Sequence, residues 1–351
     1  MLAILAPGQG AQTPGQLRAW RDLPGVEDRL RWWSAAAGVD LLAAGCDAPA
    51  ETIRDTAIAQ PLIVASGLAA AEQLGLPLYS TADPDPDPVP ESGPLPAPDA
   101  LVLAGHSVGE ITAAALAGVL SIEQALVLVA LRGRAMAEAS ARTATGMTAL
   151  LGGDPEVVTA RLAELGLTAA NRNGAGQIVA AGTVADLARL AEEPPAGVRL
   201  RSLSVAGAFH THHMTPAREA LAAAASGLRP ASPEVAILSN ADGARVDNGA
   251  ELLSRLVTQV AAPVRWDLCL ATLRELGVTA VIELPPAGTL AGIARRELPG
   301  VRIVAVKSPD DLAAARDLIA EHAGPGGLLT VPDEVRPRTA ADDGSLVGTQ
   351  A

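Results

Sequence analysis

Residues 100–117 read ALVLAGHSVGEITAAALA. The apolar run Ala100 to Ala104 meets Gly105-His106-Ser107-Val108-Gly109, and a helical stretch, Glu110 to Ala117, follows. A short apolar run bounded by glycine predicts a buried strand. Strand, G-x-S-x-G turn and helix together form the context of a nucleophile elbow, whose sharp turn exposes the serine oxygen. Flanking glycines let the backbone bend and let a substrate approach. The helix start offers backbone N–H groups and a positive dipole end to a developing oxyanion. A plain Gly-rich turn without chemistry fits the pentapeptide alone; the context makes Ser107 a candidate nucleophile.

Outward from this stretch, the pattern predicts an α/β protein. Leu2 to Ala6, ended by Pro7-Gly8, reads as another buried strand, and Gln60 to Leu74 as an Ala/Leu-rich helix. Residues 81–99 carry seven prolines in an Asp-Pro pattern and read as an exposed loop. Ser121 is a candidate N-cap with Gln124 as its capping-box partner, opening a helix to about Ala139 that carries Arg132. Between Thr143 and Ser204 the elements shorten. Met147–Leu151, Pro155–Leu165, Leu167–Asn171, Gln177–Ala181, Val184–Glu192 and Val198–Val205 give the βαββαβ order of a ferredoxin-like unit. Longer elements return at Val235–Ser239, Ala250–Val260, Asp267–Leu276, Ala280–Leu284 and Val301–Val306. The expected architecture is a large α/β-hydrolase-like core with a parallel sheet, residues 1–142 and 205–320, with a small ferredoxin-like subdomain inserted at 143–204. Residues 325–351, rich in Gly, Pro, Asp and Arg, read as a disordered tail.

Composition narrows the function. The net charge is −13 and Lys307 is the sole lysine, so no basic run exists to replace phosphate counterions, which argues against nucleic acid. No charge-free apolar run approaches the roughly 20 residues of a membrane span. Met1 to Pro7 lacks a basic n-region and reads as a strand, not a signal peptide. A cytoplasmic protein is expected. Cys46 and Cys269 show neither metal spacing nor a disulfide pattern and are expected as buried free thiols.

A serine nucleophile needs a base. The histidines are His106, His210, His212, His213 and His322. His106 lies inside the elbow and would point away from Ser107; His322 is near the tail. The cluster His210-Thr211-His212-His213 follows a strand and could hold the base, form a surface patch, or make a weak metal site, for which no third ligand is evident. Gly8-Gln9-Gly10 fails as a dinucleotide fingerprint, because Thr13 stands at the third glycine position; it could instead present a backbone N–H to the serine. Arg132 is either a solvated helix charge or a fork for a carboxylate.

Taken together, these motifs resemble the malonyl-CoA:acyl carrier protein transacylases. The resemblance rests on Pro7-Gly8-Gln9-Gly10-Ala11-Gln12, Gln60-Pro61, Gly105 to Glu110, Leu131-Arg132-Gly133, Asn171-x-Asn173 with Gln177-Ile178-Val179, Ala208-Phe209-His210, Ser239-Asn240, and Gln259 with Pro263-Val264-Arg265-Trp266. It spans about residues 3–306 and departs from the family at Leu284-Pro285-Pro286, where a glycine is usual at Pro285. It implies that Ser107 is acylated, that His210 is its base and that the Gln259 backbone carbonyl orients His210. It further implies that Gln9 and Val108 supply oxyanion N–H groups and that Arg132 holds a malonyl carboxylate. Phe209 is implied to favour malonyl over methylmalonyl units, and Asn171 and Asn173 belong to a substrate-side signature. The implied partners are malonyl-CoA and an acyl carrier protein with its phosphopantetheine arm. A monomer without metal or cofactor is expected, coenzyme A entering only as the substrate thioester. The rival readings are an α/β-hydrolase-type thioesterase or esterase, and a non-catalytic carrier-docking protein.

Overall fold

A computed structural model describes residues 1–79, 96–205 and 207–323. The expected tail, and the Pro-rich loop except residues 96–99, lie outside the described residues. The first half contains β1 (Leu2–Ala6), α1 (Arg18–Arg21), α2 (Val26–Ala37), α3 (Thr56–Gln73), β2 (Leu101–Gly105), α4 (Gly109–Leu116) and α5 (Ile122–Ala141). Then come β3 (Thr145–Leu151), α6 (Pro155–Glu164), β4 (Thr168–Gly174), β5 (Gln177–Thr183), α7 (Val184–Glu192) and β6 (Arg199–Ser202). The remainder is α8 (Thr215–Ala225), β7 (Ala236–Leu238), α9 (Gly249–Gln259), β8 (Val264–Arg265), α10 (Trp266–Glu275), β9 (Ala280–Glu283), α11 (Thr289–Glu297), β10 (Arg302–Ala305) and α12 (Leu312–His322).

Two sheets result. The first is parallel, in the order β10-β9-β1-β2-β7. β1 and β2 are apolar at every position because both faces are covered. Leu2, Ile4, Leu101 and Leu103 face a core shared with α2, α3, α4 and α5. Ala3, Leu5, Val102 and Ala104 face the opposite core, closed by α10 and α11. The second sheet runs β6-β3-β5-β4-β8 and is antiparallel except where β4 meets β8. Its own core includes Leu150, Val158, Leu162, Ile178 and Leu190. Its fifth strand, Val264–Arg265, comes from outside residues 143–204 and ties the two sheets through the chain that leads into α10.

Several boundaries differ from the sequence reading. α3 begins at Thr56, not Gln60, because Asp55 caps it by accepting a hydrogen bond from the Ala57 N–H. Pro61 therefore sits inside the helix. β4 extends to Gly174, and β6 is confined to Arg199–Ser202. The Ser121–Gln124 capping box is present as expected. Cys46 and Cys269 are buried free thiols. Among the described residues, no helix is long and apolar enough to cross a membrane.

Gly133 decides how closely α5 approaches α3. A Cβ there would stand 2.8 Å from the Thr56 carbonyl oxygen. Only glycine leaves that space, and the close approach sets Arg132, its neighbour, against the first turns of α3.

Candidate active site

Three neighbouring strands of the parallel sheet deliver the site at their C-terminal ends, where ligands of open α/β sheets bind. β1 leads into Gly8-Gln9, β2 into Ser107, and β7 into Asn240. The elbow after β2 packs tightly on the end of β1: a Cβ on Gly109 would stand 2.1 Å from the Ala6 carbonyl oxygen. Ser107 takes φ 55°, a left-handed conformation that a non-glycine residue holds only when its surroundings over-determine it. His210 is held likewise, at φ 61°.

Ser107 Oγ lies 2.8 Å from His210 Nε2, and His210 Nδ1 lies 2.8 Å from the Gln259 backbone oxygen. A carbonyl can only accept, so Nδ1 carries the proton and Nε2 presents its lone pair to the serine hydroxyl. His210 is 3% exposed. Burial, reinforced by the positive charge of Arg132, lowers its pKa to about 3. The ring is therefore neutral at physiological pH and ready to accept a proton. The rate of covalent serine acylation should accordingly hold steady through pH 6.5, the ordinary imidazole value, when followed by rapid quench between pH 8 and 5. An inflection centred there would show an exposed, ordinary histidine at work. Linkage has a definite sign: between about 3 and 6.5 the unfolded chain binds a proton at His210 that the folded chain does not. Through this group stability falls as pH falls across that window.

Arg132 is 2% exposed. Its Nη1 donates to Gln60 Oε1 at 2.7 Å, and its Nη2 donates to Ser107 Oγ at 3.2 Å and to Gln259 Oε1 at 3.3 Å. Burial lowers its pKa to about 10, so it remains cationic at neutral pH. Among the described residues it forms no salt bridge. A buried guanidinium met only by neutral acceptors, beside a nucleophilic oxygen, is suited to a carboxylate arriving with a substrate. Burial pushes the Glu110 carboxyl up to about 8, and its Oε1 accepts from the Asn240 N–H at 2.7 Å.

The Val108 and Gln9 N–H groups, the expected oxyanion donors, have no hydrogen-bond partner among the described residues. The Ser107 N–H is occupied, donating to Asn240 Oδ1 at 2.7 Å. The Gln9 side chain is anchored away from this job, its Nε2 donating to Thr56 Oγ1 at 3.3 Å.

The other expected residues sit around this centre. Phe209 is buried and precedes His210. Asn173 Oδ1 lies 2.9 Å from His106 Nε2, and its Nδ2 donates to Gln177 Oε1, so Asn173 joins the second sheet to the back of the elbow. His106 also packs edge-on against Trp266. Asn171, on the same strand, is buried, with its Oδ1 lacking a partner among the described residues. The rings of His212 and His213 pack against each other, centroids 4.1 Å apart and tilted by 34°. Sequence reading noticed Gln60, Glu110 and Asn240 only inside motifs. Their roles, steadying Arg132 and the elbow, rest on partners far along the chain.

Known proteins resemble this chain in sequence and in fold. Residues 91–309 match the acyl transferase domain family. A malonyl CoA-acyl carrier protein transacylase of Mycobacterium tuberculosis is 52% identical over 312 residues, covering 89% of this chain and 98% of the relative. The crystal structure of MCAT from Mycobacterium tuberculosis superposes with a TM-score of 0.81 at 51% identity, over 91% of this chain and 99% of that one. A malonyl-transacylase solved in complex with its type II PKS acyl-carrier protein gives a TM-score of 0.79 at 27% identity, covering 90% of this chain and 99% of that one. With a half-buried serine set against a buried histidine and a buried arginine, and with these relatives matching along about nine-tenths of its length, the chain belongs to the malonyl CoA-acyl carrier protein transacylase family.

Proposed function

We propose that this protein moves a malonyl group from coenzyme A to the phosphopantetheine thiol of an acyl carrier protein through a malonyl ester on Ser107. One observation carries the reading: Ser107 Oγ meets both a neutral histidine, at 2.8 Å, and a buried arginine, at 3.2 Å. A base and a carboxylate-binding cation thus converge on one nucleophilic atom.

In the first half-reaction Ser107 Oγ attacks the thioester carbonyl while His210 Nε2 takes its proton. The Val108 and Gln9 N–H groups hold the oxyanion. Collapse breaks the C–S bond, and the coenzyme A sulfur leaves with the proton from His210. In the second, the carrier thiol gives its proton to His210 and attacks the ester; Ser107 departs and recovers the proton. Thioester is exchanged for thioester, so the enzyme has only to lower barriers and exclude water. The parallel sheet fits an α/β-hydrolase-like core formed by residues 1–142 and 205–320. The spatial order β6-β3-β5-β4 supports a ferredoxin-like unit at 143–204. The protein acts as a cytoplasmic monomer without metal or cofactor, and neither nucleic acid nor membrane is its partner. The malonyl product supplies fatty acid synthesis; a polyketide carrier is the alternative.

The test is intact-protein mass spectrometry with malonyl-CoA, followed by addition of purified carrier proteins of each pathway. A malonyl mass gained by the protein and passed to a carrier is expected. Rapid hydrolysis without a carrier would identify a thioesterase, and no adduct at all a carrier-docking protein.

Phe209 sets the α-carbon preference on this reading, its ring leaving little room for a methyl branch. Discrimination by one methyl is worth ~1–3 kcal/mol. Phe209→Ser should therefore shift the malonyl to methylmalonyl ratio of kcat/KM by about tenfold or more. Parallel loss of both activities at a fixed ratio would make Phe209 a packing residue.

A further inference from the structure

We infer that Asn240 is a positioning residue that holds the nucleophile and the base in register. It sits two residues beyond the C-terminal end of β7 and is fully buried. Its Oδ1 accepts from the Ser107 N–H at 2.7 Å and from Gln259 Nε2 at 3.1 Å. Its Nδ2 donates to the Gly105 carbonyl at 2.8 Å. The amide orientation is fixed by its neighbours, since two donors face Oδ1 and a carbonyl faces Nδ2.

These bonds bracket the elbow. Gly105 O and Ser107 N lie on either side of His106, so one side chain grips both ends of the strained turn. The same oxygen grips Gln259, whose backbone carbonyl fixes the His210 tautomer. The backbone of Asn240 is itself pinned: its N–H donates to Glu110 Oε1, and its carbonyl accepts from the Arg265 N–H at 2.8 Å. The Ser107 Oγ–His210 Nε2 distance is therefore set through one amide. Arg132 is held mainly by its 2.7 Å bond to Gln60; its one link to Asn240 is the longer 3.3 Å bond to Gln259, so most of the substrate anchoring does not pass through Asn240.

The inference rests on the Ser107–His210 reading, and its test distinguishes the two. In Asn240→Ala the acylation rate at saturating malonyl-CoA should fall about 100-fold, the scale of a misplacement near 1 Å. Half-saturation should move by less than about threefold, because the carboxylate anchor keeps its shorter bond to Gln60. Asn240→Asp gives the diagnostic signature. Its neutral acid form offers a donor to Gly105 O and an acceptor to Ser107 N, as the amide does. Its ionised form loses the donor and opposes the carbonyl. The acylation rate of this variant should climb as pH falls, a trend absent from wild type and from Asn240→Ala. If Asn240→Ala does not fold, the Asp profile decides alone. Wild-type acylation in folded Asn240→Ala, or an Asp variant with the wild-type pH profile, overturns the inference while Ser107 still gains malonyl. An adduct that persists on Ser107→Ala would instead overturn the underlying reading.

Discussion

Ser107→Ala should take up no malonyl group from malonyl-CoA. The hydroxyl is the atom that His210 Nε2 and Arg132 Nη2 both contact, and alanine removes it without filling the site. The left-handed backbone at this position is set by the elbow's hydrogen bonds, which alanine retains, so the fold should survive. Intact mass after incubation with malonyl-CoA gives the answer directly; a persisting adduct would move the nucleophile elsewhere. His210→Ala should slow acylation by about 100-fold or more, the scale of a lost general base. His212→Ala and His213→Ala should stay near wild type, because those rings pack against each other while His210 contacts Ser107 Oγ. If all three variants slowed equally, the cluster and not His210 would be the functional unit.

Arg132→Ala should lower malonyl transfer by about tenfold or more and raise acetyl-CoA relative to malonyl-CoA. A charge-assisted hydrogen bond contributes ~1.5–3 kcal/mol, and a carboxylate can take two from one guanidinium. Acetyl has no carboxylate to lose. The informative comparison is Arg132→Lys, which keeps the charge but not the planar fork, and should recover only part of the preference. Steady-state kcat/KM for both thioesters checks this, and an unchanged ratio would remove the carboxylate role from Arg132.

Much of this was legible in the sequence where the signal was local. The apolar run before Gly105 and the glycines around Ser107 announced strand and elbow. The Ser121–Gln124 pair announced α5. Local patterns failed where alanine dominates: in α8, TPAREALAAAA, alanines mark no clear face, and the helix was not read. α11 and α12 were missed as well. β8, at two residues, is too short to show alternation, yet it completes the second sheet. α3 starts four residues before the expected Gln60, because its cap is Asp55. In the site, residue types could be seen but their joints could not. Asn240 meets Ser107 across 133 positions, and Gln60 meets Arg132 across 72. Such pairings are products of topology, and no spacing rule contains them.

His210 leans on a peptide carbonyl where many serine enzymes use a carboxylate. A neutral oxygen orients the ring but offers no full countercharge once the ring is protonated, and the adjacent Arg132 opposes that charge. On the proposed mechanism the Ser107 ester thus faces a weak base. Water, with a pKa of about 15.7, needs as much help from the base as the serine hydroxyl does, without the fixed 2.8 Å contact that Ser107 Oγ has with Nε2. A thiol, near 8.5, needs far less help. The choice between transfer and hydrolysis then follows from the acidity of the incoming nucleophile as well as from the shape of the cleft. Strengthening the base, by setting an acid behind His210, should make the protein leak malonate before it made it faster.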